Sequence, residues 1–325
     1  MNDAHGMNDA HGIVTIDTGF QRPNFDAAYL IVEHGRGAYV DCGTQHSVPA
    51  MLDALSWQGL RPQDVDWLIL THVHLDHAGG AGALMRMLPN ATLAVHPRGA
   101  PHMIDPERLI AGATAVYGEA EMSRSYGEIA PIDAARVREV GDGETLDLAG
   151  RPLLCIDTPG HARHHLCVWD ERSRTWFTGD TFGLSYREFD NAHGDPFVIP
   201  TTSPVQFEPE PLKASIRTML ERDPVAMHLT HYGRVGDVAR LGEDLIDQID
   251  AMVALAHEAQ GHADRHARLV ESLAALYIDR ARIHGAPLTP EEVRALLAID
   301  VELNAQGLEV WLARETAARR PVQVR

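Results

Sequence analysis

Four side chains able to bind a metal ion fall within six residues in the run Thr71-His72-Val73-His74-Leu75-Asp76-His77, directly after the apolar stretch Trp67-Leu68-Ile69-Leu70. A short apolar run closed by such a cluster reads as a buried strand whose end carries chemistry. Three further ligand types close short apolar or β-branched runs in the same way: His161 in Thr158-Pro159-Gly160-His161, Asp180 in Phe177-Thr178-Gly179-Asp180, and His231 in Leu229-Thr230-His231-Tyr232. A centre built from all seven requires strands remote in sequence to end side by side.

The rest of the chain supplies such strands. Ile13 to Asp17, Ala28 to Val32 and Ala38 to Asp41 are predicted strands, with His34-Gly35-Arg36-Gly37 a turn between the last two. Ser47 to Trp57 has apolar residues at helical spacing and stops before Gly59, Gly80 to about Leu88 is a second helix, and Thr92 to His96 a strand. Leu146 to Leu148, Leu153 to Asp157, His165 to Trp169 and Thr175 to Thr178 repeat the strand pattern, followed by a helix Leu212 to Leu220 and a strand Ala226 to Thr230. Two β-rich halves, each flanked by helices, imply two sheets packed face to face with helices outside.

Residues 183–211 contain five prolines and little periodicity; a long irregular segment of this kind is more often a functional cover than a connector. From residue 236 the pattern is helix only. Val238, Leu241, Leu245, Ile249, Met252 and Ala256 share one helical face, as do Leu269, Leu273 and Leu276, and Thr289-Pro290-Glu291-Glu292 is a capping box. The apolar faces must bury against each other, the main domain or a second subunit, and a homodimer is the expectation drawn from them. The domain reading is therefore a leader at 1–12, a metal-binding domain at 13–235 and a helical extension at 236–325.

Composition narrows the classes of function. With 28 Lys+Arg against 46 Asp+Glu, the formal charge of −18 repels phosphate backbones and removes the basic footprint of a nucleic-acid binder. No apolar run approaches the roughly 20 residues needed to cross a bilayer, so no membrane role is expected. Three widely spaced cysteines, Cys42, Cys155 and Cys167, form neither a disulfide framework nor a zinc-finger pattern, and a cytoplasmic location is expected. Residues 1–12 repeat Met-Asn-Asp-Ala-His-Gly twice. They lack the features of a signal peptide and are read as a flexible leader, so His5 and His11 are left out of the site.

In an extended turn leaving a strand, His72 and His74 project to one side and Asp76 and His77 follow as the chain bends. The run thus presents two pairs of ligands to two neighbouring ions, with His161, Asp180 and His231 to complete them. One carboxylate can bridge ions about 3.5–4 Å apart, as in two-metal hydrolytic sites.

The set Thr71-His72-x-His74-x-Asp76-His77, Thr158-Pro159-Gly160-His161, Phe177-Thr178-Gly179-Asp180 and Leu229-Thr230-His231 resembles the metallo-β-lactamase superfamily, in particular its glyoxalase II-like hydrolases, over about residues 13–235. The resemblance implies an α/β fold, a four-layer αββα sandwich. In it His72, His74 and His161 would hold the first metal, Asp76, His77 and His231 the second, and Asp180 would bridge them. Asp41 matches a position that braces the ligand loop, and outer partners of this kind orient metal ligands. His165 resembles the second histidine of the family's Gly-His-x-x-x-His segment, with a structural role. Where the family often has Pro-Gly before it, this chain has Arg163-His164, which leaves the role of His164 open, an exposed loop position being the plainer reading.

The chemistry expected of such a centre is hydrolysis of a small ester, thioester or lactone by a metal-bridging hydroxide, because metal binding lowers the pKa of water from 15.7 towards ~7. Two divalent ions are implied, zinc first, with iron or manganese as alternatives. Asp76 or Asp180 would relay the proton. Tyr186 is a candidate donor to an oxyanion, as is Tyr232, although packing is the commoner role of a buried tyrosine. His102 and Arg98 are weaker candidates for substrate contact. Two other readings stay open: a non-haem iron oxidoreductase of the persulfide dioxygenase type, since imidazole and carboxylate also suit iron, and a metal-binding protein without turnover.

Overall fold

The structure, a computed structural model, describes residues 11–319. Residues 1–10 of the expected leader lie outside the described residues. His11 and Gly12 are within them: their carbonyls accept from the Arg151 guanidinium (2.7 Å) and the Val32 amide (2.8 Å).

A meander opens the chain, with β1 (Ile13–Asp17), β2 (Ala27–Glu33) and β3 (Arg36–Val40) antiparallel in register. His34 and Gly35 both take positive φ, 45° and 77°, the backbone twist a two-residue hairpin requires. Parallel strands need crossovers, and β3 reaches β4 (Val65–Ile69) through helix α1 (Val48–Trp57). Between β4 and β5 (Thr92–Val95) lie α2 (Leu75–Ala78) and α3 (Ala81–Met87). Between β5 and β6 (Val137–Glu139) lie α4 (Ala100–Ile104), α5 (Glu107–Tyr117) and α6 (Glu119–Glu121). The first sheet is ordered β1-β2-β3-β4-β5-β6.

The second sheet comprises β7 (Thr145–Leu148), β8 (Arg151–Asp157), β9 (Leu166–Asp170), β10 (Thr175–Phe177), β11 (Ala226–Leu229) and β12 (Gly233–Val235), in the spatial order β12-β11-β10-β9-β8-β7. Only β10 and β11 pair in parallel. The expected two-sheet α/β sandwich with flanking helices and a C-terminal helical region is the fold found. Strand alternation decides which residue enters which layer. Tyr29, Ile31, Val40 and Ile69 meet Leu146, Cys155, Val168 and Phe177 between the sheets. Their chain neighbours Leu30, Tyr39 and Leu68 turn the other way, against Met51, Leu55, Leu84 and Met103 of the helices. Strands buried on both faces read as continuous apolar runs, and each fully buried large aliphatic side chain stabilises by about 1.5–3 kcal/mol.

The chain divides into two compact units. The first holds both sheets and comprises residues 11–158, 164–179 and 223–236 of those described. The second comprises 159–163, 180–222 and the helical tail from 237, so the proline-rich segment is grouped with the tail. Its helices are α7 (Pro209–Leu220), α8 (Val238–Ala259), α9 (Arg265–His284), α10 (Pro290–Leu296) and α11 (Ala298–Arg319). The Thr289/Glu292 capping box forms as read from the sequence. Leu241, Leu245, Ile249, Met252, Leu269, Leu273, Leu308 and Leu312 are buried. Two buried amides tie the irregular segment down: Gln248 donates to Val198 O (2.8 Å), and Asn304 donates to Pro200 O (2.9 Å) while its own Oδ1 accepts from the Thr202 amide (2.8 Å).

One charged pair in the first unit is fully enclosed. Arg151 donates to Asp170 through Nε (3.0 Å) and NH2 (2.5 Å), and both side chains are buried. Burial pushes the Asp170 carboxyl up, but the hydrogen bonds from Arg151 and Ser173 carry it below its ordinary value. A depressed carboxylate pKa contributes stability that is present above the unfolded value, about 3.9, and lost as pH falls through the lower folded one. Arg151→Met strands the carboxylate and is expected to cost about 3 kcal/mol in urea unfolding at neutral pH. A loss under about 1 kcal/mol, the worth of an exposed pair, would contradict this account.

Candidate metal centre

The ligand run begins where β4 stops pairing. His72 is fully buried, and its Nε2 lies 2.8 Å from Nδ1 of His74. His74 keeps extended backbone (φ −65°, ψ 151°) as the residue before α2, and Asp76 and His77 sit on the single turn of that helix. An acidic residue in a first turn is favoured by the helix dipole. From the far sheet, β11 delivers His231 two residues beyond its end. Asp76 Oδ2 is then 3.5 Å from His231 Nε2 and 3.8 Å from His77 Nε2, and one ligand atom from each of the three lies within 4.8 Å of the others.

These spacings can be set against coordination geometry. Zinc–nitrogen bonds of 2.0–2.1 Å at tetrahedral angles place ligand atoms about 3.4 Å apart. The two edges that meet at Asp76 are therefore close to the spacing a single first-row ion imposes, and the donors of the set are imidazole and carboxylate only.

The other ring nitrogen of each histidine is already committed. His77 Nδ1 is 2.9 Å from Asp41 Oδ2 and His231 Nδ1 is 3.0 Å from Phe25 O. A carboxylate and a carbonyl only accept, so the neutral rings carry their protons on Nδ1 and present the Nε2 lone pair. His72 Nδ1 is 3.2 Å from the Thr71 hydroxyl, and its ring stacks on His165 at 4.7 Å. His165 is itself held by Thr158 (Nδ1 to Oγ1, 2.9 Å) and is fully buried, a bracing position.

Asp41 gathers the assembly. It has φ 55°, a left-handed conformation that Asp tolerates better than most residues. Its carboxylate accepts from the Thr71 amide (2.8 Å), the Thr71 hydroxyl (2.8 Å), His77 Nδ1 (2.9 Å) and the Thr230 hydroxyl (3.3 Å). Gly80 permits the close packing behind it, since a Cβ there would lie 2.4 Å from Thr44 O.

The second unit pairs the remaining two expected ligands. His161 Nε2 is 3.3 Å from Asp180 Oδ2, again near a coordination edge. Thr201 holds both, with its hydroxyl 3.3 Å from His161 Nδ1 and donating to Asp180 O (3.0 Å). Tyr186, in the same unit, is 1% exposed and its hydroxyl donates to Asp300 Oδ1 (3.2 Å).

Other positions singled out in the sequence have definite places. His164 is half-buried, with its ring centroid 5.6 Å from His74 and 6.5 Å from His102. Arg98 is exposed and its amide donates to His96 Nδ1 (3.0 Å). Tyr232 packs against the inter-sheet core.

Sequence reasoning missed Asp26. It is fully buried one residue before β2, and the Thr18 hydroxyl donates to its Oδ2 (2.7 Å). Burial pushes its carboxyl up to about 7, against the pull of His231 and His77. A lone acid in the apolar stretch Phe25-Asp26-Ala27-Ala28-Tyr29-Leu30 was the available signal.

The profile of the metallo-beta-lactamase superfamily matches residues 22–250. A metallo-beta-lactamase fold-containing protein of Sulfurisphaera tokodaii is 28% identical over 231 residues, covering 69% of this chain and 79% of its own. A crystal structure of an archaeal superfamily protein, from Sulfolobus tokodaii, superposes with a TM-score of 0.64 over 93% of this chain and 99% of that one, at 24% identity. A hydroxyacylglutathione hydrolase of Klebsiella pneumoniae is 29% identical over 162 residues, and the alignment spans only about half of each chain (49% and 49%). A Thermus thermophilus family structure has a TM-score of 0.61 at 22% identity, covering 89% of this chain and 93% of that one. Likeness at these structural identities speaks to fold.

The bracing role of Asp41 is open to measurement. Asp41→Asn keeps the size and tolerates the same backbone, but cannot serve as a charged acceptor. Loss of an outer partner of this kind typically weakens metal binding 10–100-fold, and competition against a chromophoric chelator should show a fall in that range. An unchanged affinity would remove Asp41 from the assembly.

Proposed function

The chain belongs to the metallo-beta-lactamase superfamily, and from that premise we propose that it is a metal-dependent hydrolase of a small ester, thioester or lactone. The observation that carries the reading is the Asp76, His77 and His231 set, with ligand atoms within 4.8 Å and the spare imidazole nitrogens fixed by acceptors. Superfamily members are mostly metal-dependent hydrolases. The matched part of a hydroxyacylglutathione hydrolase adds support for an acyl substrate.

In this reading His72, His74 and His161 would hold one ion, Asp76, His77 and His231 the other, with Asp180 completing the set. The assignment of His161 and Asp180 to the shared centre rests on the motif resemblance. When bound, divalent ions here would lower the pKa of coordinated water towards ~7 and polarise a carbonyl oxygen. The protein's part is positional. Buried Asp41, Thr71 and Phe25 O hold the rings in one tautomer, so no reorganisation is needed on binding. Asp76 and Asp180 are the carboxylates able to take a proton bound for the leaving group. Tyr186 donates to Asp300, and we assign it to holding the segment rather than the substrate.

Room for a small molecule exists in the first unit. A cavity of about 360 Å³ is lined by Thr18, Phe20, Gln21, Thr44, His46 and Arg124, within the usual size range for small ligands. Ring contacts run from Phe20 to Phe25 (5.9 Å) and from Phe25 to His231 (5.4 Å). Among the described residues no helix is long and apolar enough to cross a membrane.

Metal-free protein should show no turnover on a panel of lactones, thioesters and esters, with activity restored by added zinc or manganese. Full activity without metal, or no turnover with metal fully bound, would overturn the reading. Oxygen uptake with a persulfide by iron-loaded protein that lacks ester turnover would select the oxidoreductase alternative. Tyr186→Phe should leave kcat unchanged; a large fall would return Tyr186 to the reacting centre.

A further inference from the structure

Among the buried acids of the first unit, Asp26 has an oxygen that nothing in the fold accounts for. Its side chain is 0% exposed. Oδ2 accepts from the Thr18 hydroxyl (2.7 Å), whereas Oδ1 has no hydrogen-bond partner. A buried carboxylate oxygen left in this way is costly and calls for an ion, a water or a function.

The backbone fixes what lies beside it. On one side, Phe25 O accepts from Nδ1 of His231 (3.0 Å), and the Phe25 ring meets the His231 ring edge-on at 5.4 Å. On the other, the Ala27 amide donates to Thr230 O (2.8 Å). Asp26 is thus held against the strand end that delivers His231, by bonds from both of its chain neighbours. Across that end, the Thr230 hydroxyl donates to Asp41, which also accepts from His77.

We propose that Asp26 is a further anionic partner of the ion that Asp76, His77 and His231 would hold, acting from outside that cluster through the ion's hydration shell. The proposal rests on the metal-binding reading above. Asp76 is the one carboxylate among the three clustered side chains. A further buried carboxylate beside them adds negative charge, which favours retention of a divalent ion where water is scarce. Thr18 orients the group by occupying its other oxygen, and Asp26 acts on binding and not on the reacting bond.

The test is metal titration of the full-length protein, by calorimetry with zinc and by elemental analysis after dialysis. Wild type should take up two ions per chain. Asp26→Asn should retain the tighter ion unchanged and bind the other 10–100-fold more weakly, the range found when outer partners of metal ligands are removed. A second readout separates this from a merely structural role. Metal-free Asp26→Asn should melt no lower than metal-free wild type, since the unpaired charge is gone, while the melting shift produced by zinc should shrink. An Asp26→Asn protein with wild-type affinity for both ions, or one that is destabilised without metal but unchanged in zinc response, overturns the proposal. Should Asp26→Asn not fold, Thr18→Val releases the brace on Oδ2 and is expected to weaken the same ion; unchanged affinity there overturns the proposal too. Wild type binding no metal would sink the metal reading and this inference together, whereas two ions with Asp26→Asn unaffected would sink this inference alone.

Discussion

A single buried carboxylate organises the first unit. Asp41 follows β3 and accepts hydrogen bonds from the segment after β4, from α2 and from the segment after β11. Two stretches remote in sequence, 71–77 and the one holding Thr230, delivered by two different sheets, are registered to one charged group. A charge so enclosed is tolerable only when its lone pairs are filled, and four donors fill them here. Hydrogen bonds to an ionised acceptor are roughly twice as strong as neutral ones, so each segment has a strong reason to end where it does. Proton position follows: His77 must carry its proton toward Asp41, and its other nitrogen is turned to Asp76.

The same device recurs with other acceptors. Phe25 O fixes His231, and in the second unit Thr201 fixes His161. Side chains that would otherwise sample several rotamers and two tautomers are held by partners that have no role of their own in the chemistry, and a site with little left to reorganise loses little entropy when it is filled. In the second unit, helices α8 and α11 contribute more than an apolar core. Buried Gln248 and Asn304 reach the backbone of the proline-rich segment at Val198, Pro200 and Thr202. A stretch without regular structure is thereby given fixed hydrogen-bond partners, as buried backbone requires.

Much of this was legible in the residues. The ligand run showed itself because an apolar strand ended in closely spaced imidazoles and a carboxylate, a pattern with few other uses. Strands β2 to β5 were visible as apolar runs because both faces are buried. Strands β6 and β12 were not, for physical reasons: each has three residues of which the only large apolar one is a valine, Val137 or Val235, and Val137–Glu139 is half-buried to exposed. The proline-rich segment read as a cover because prolines and missing periodicity say only that a stretch is irregular. What pins it comes from polar residues on otherwise apolar helix faces, Gln248 and Asn304, whose partners cannot be found without the fold. Asp26 escaped notice because one acid among apolar residues looks like a strand end, and its meaning depends on a neighbour some two hundred positions away.

The central claim is that imidazole and carboxylate groups of this chain converge on a pair of ions. X-ray absorption at the metal edge of the loaded protein tests it most directly. The account predicts nitrogen and oxygen scatterers at roughly 2.0–2.2 Å with imidazole outer-shell features, no sulfur shell, and a metal–metal vector of about 3.5–4 Å. A sulfur shell, or a lone ion coordinated mainly by water, would contradict it.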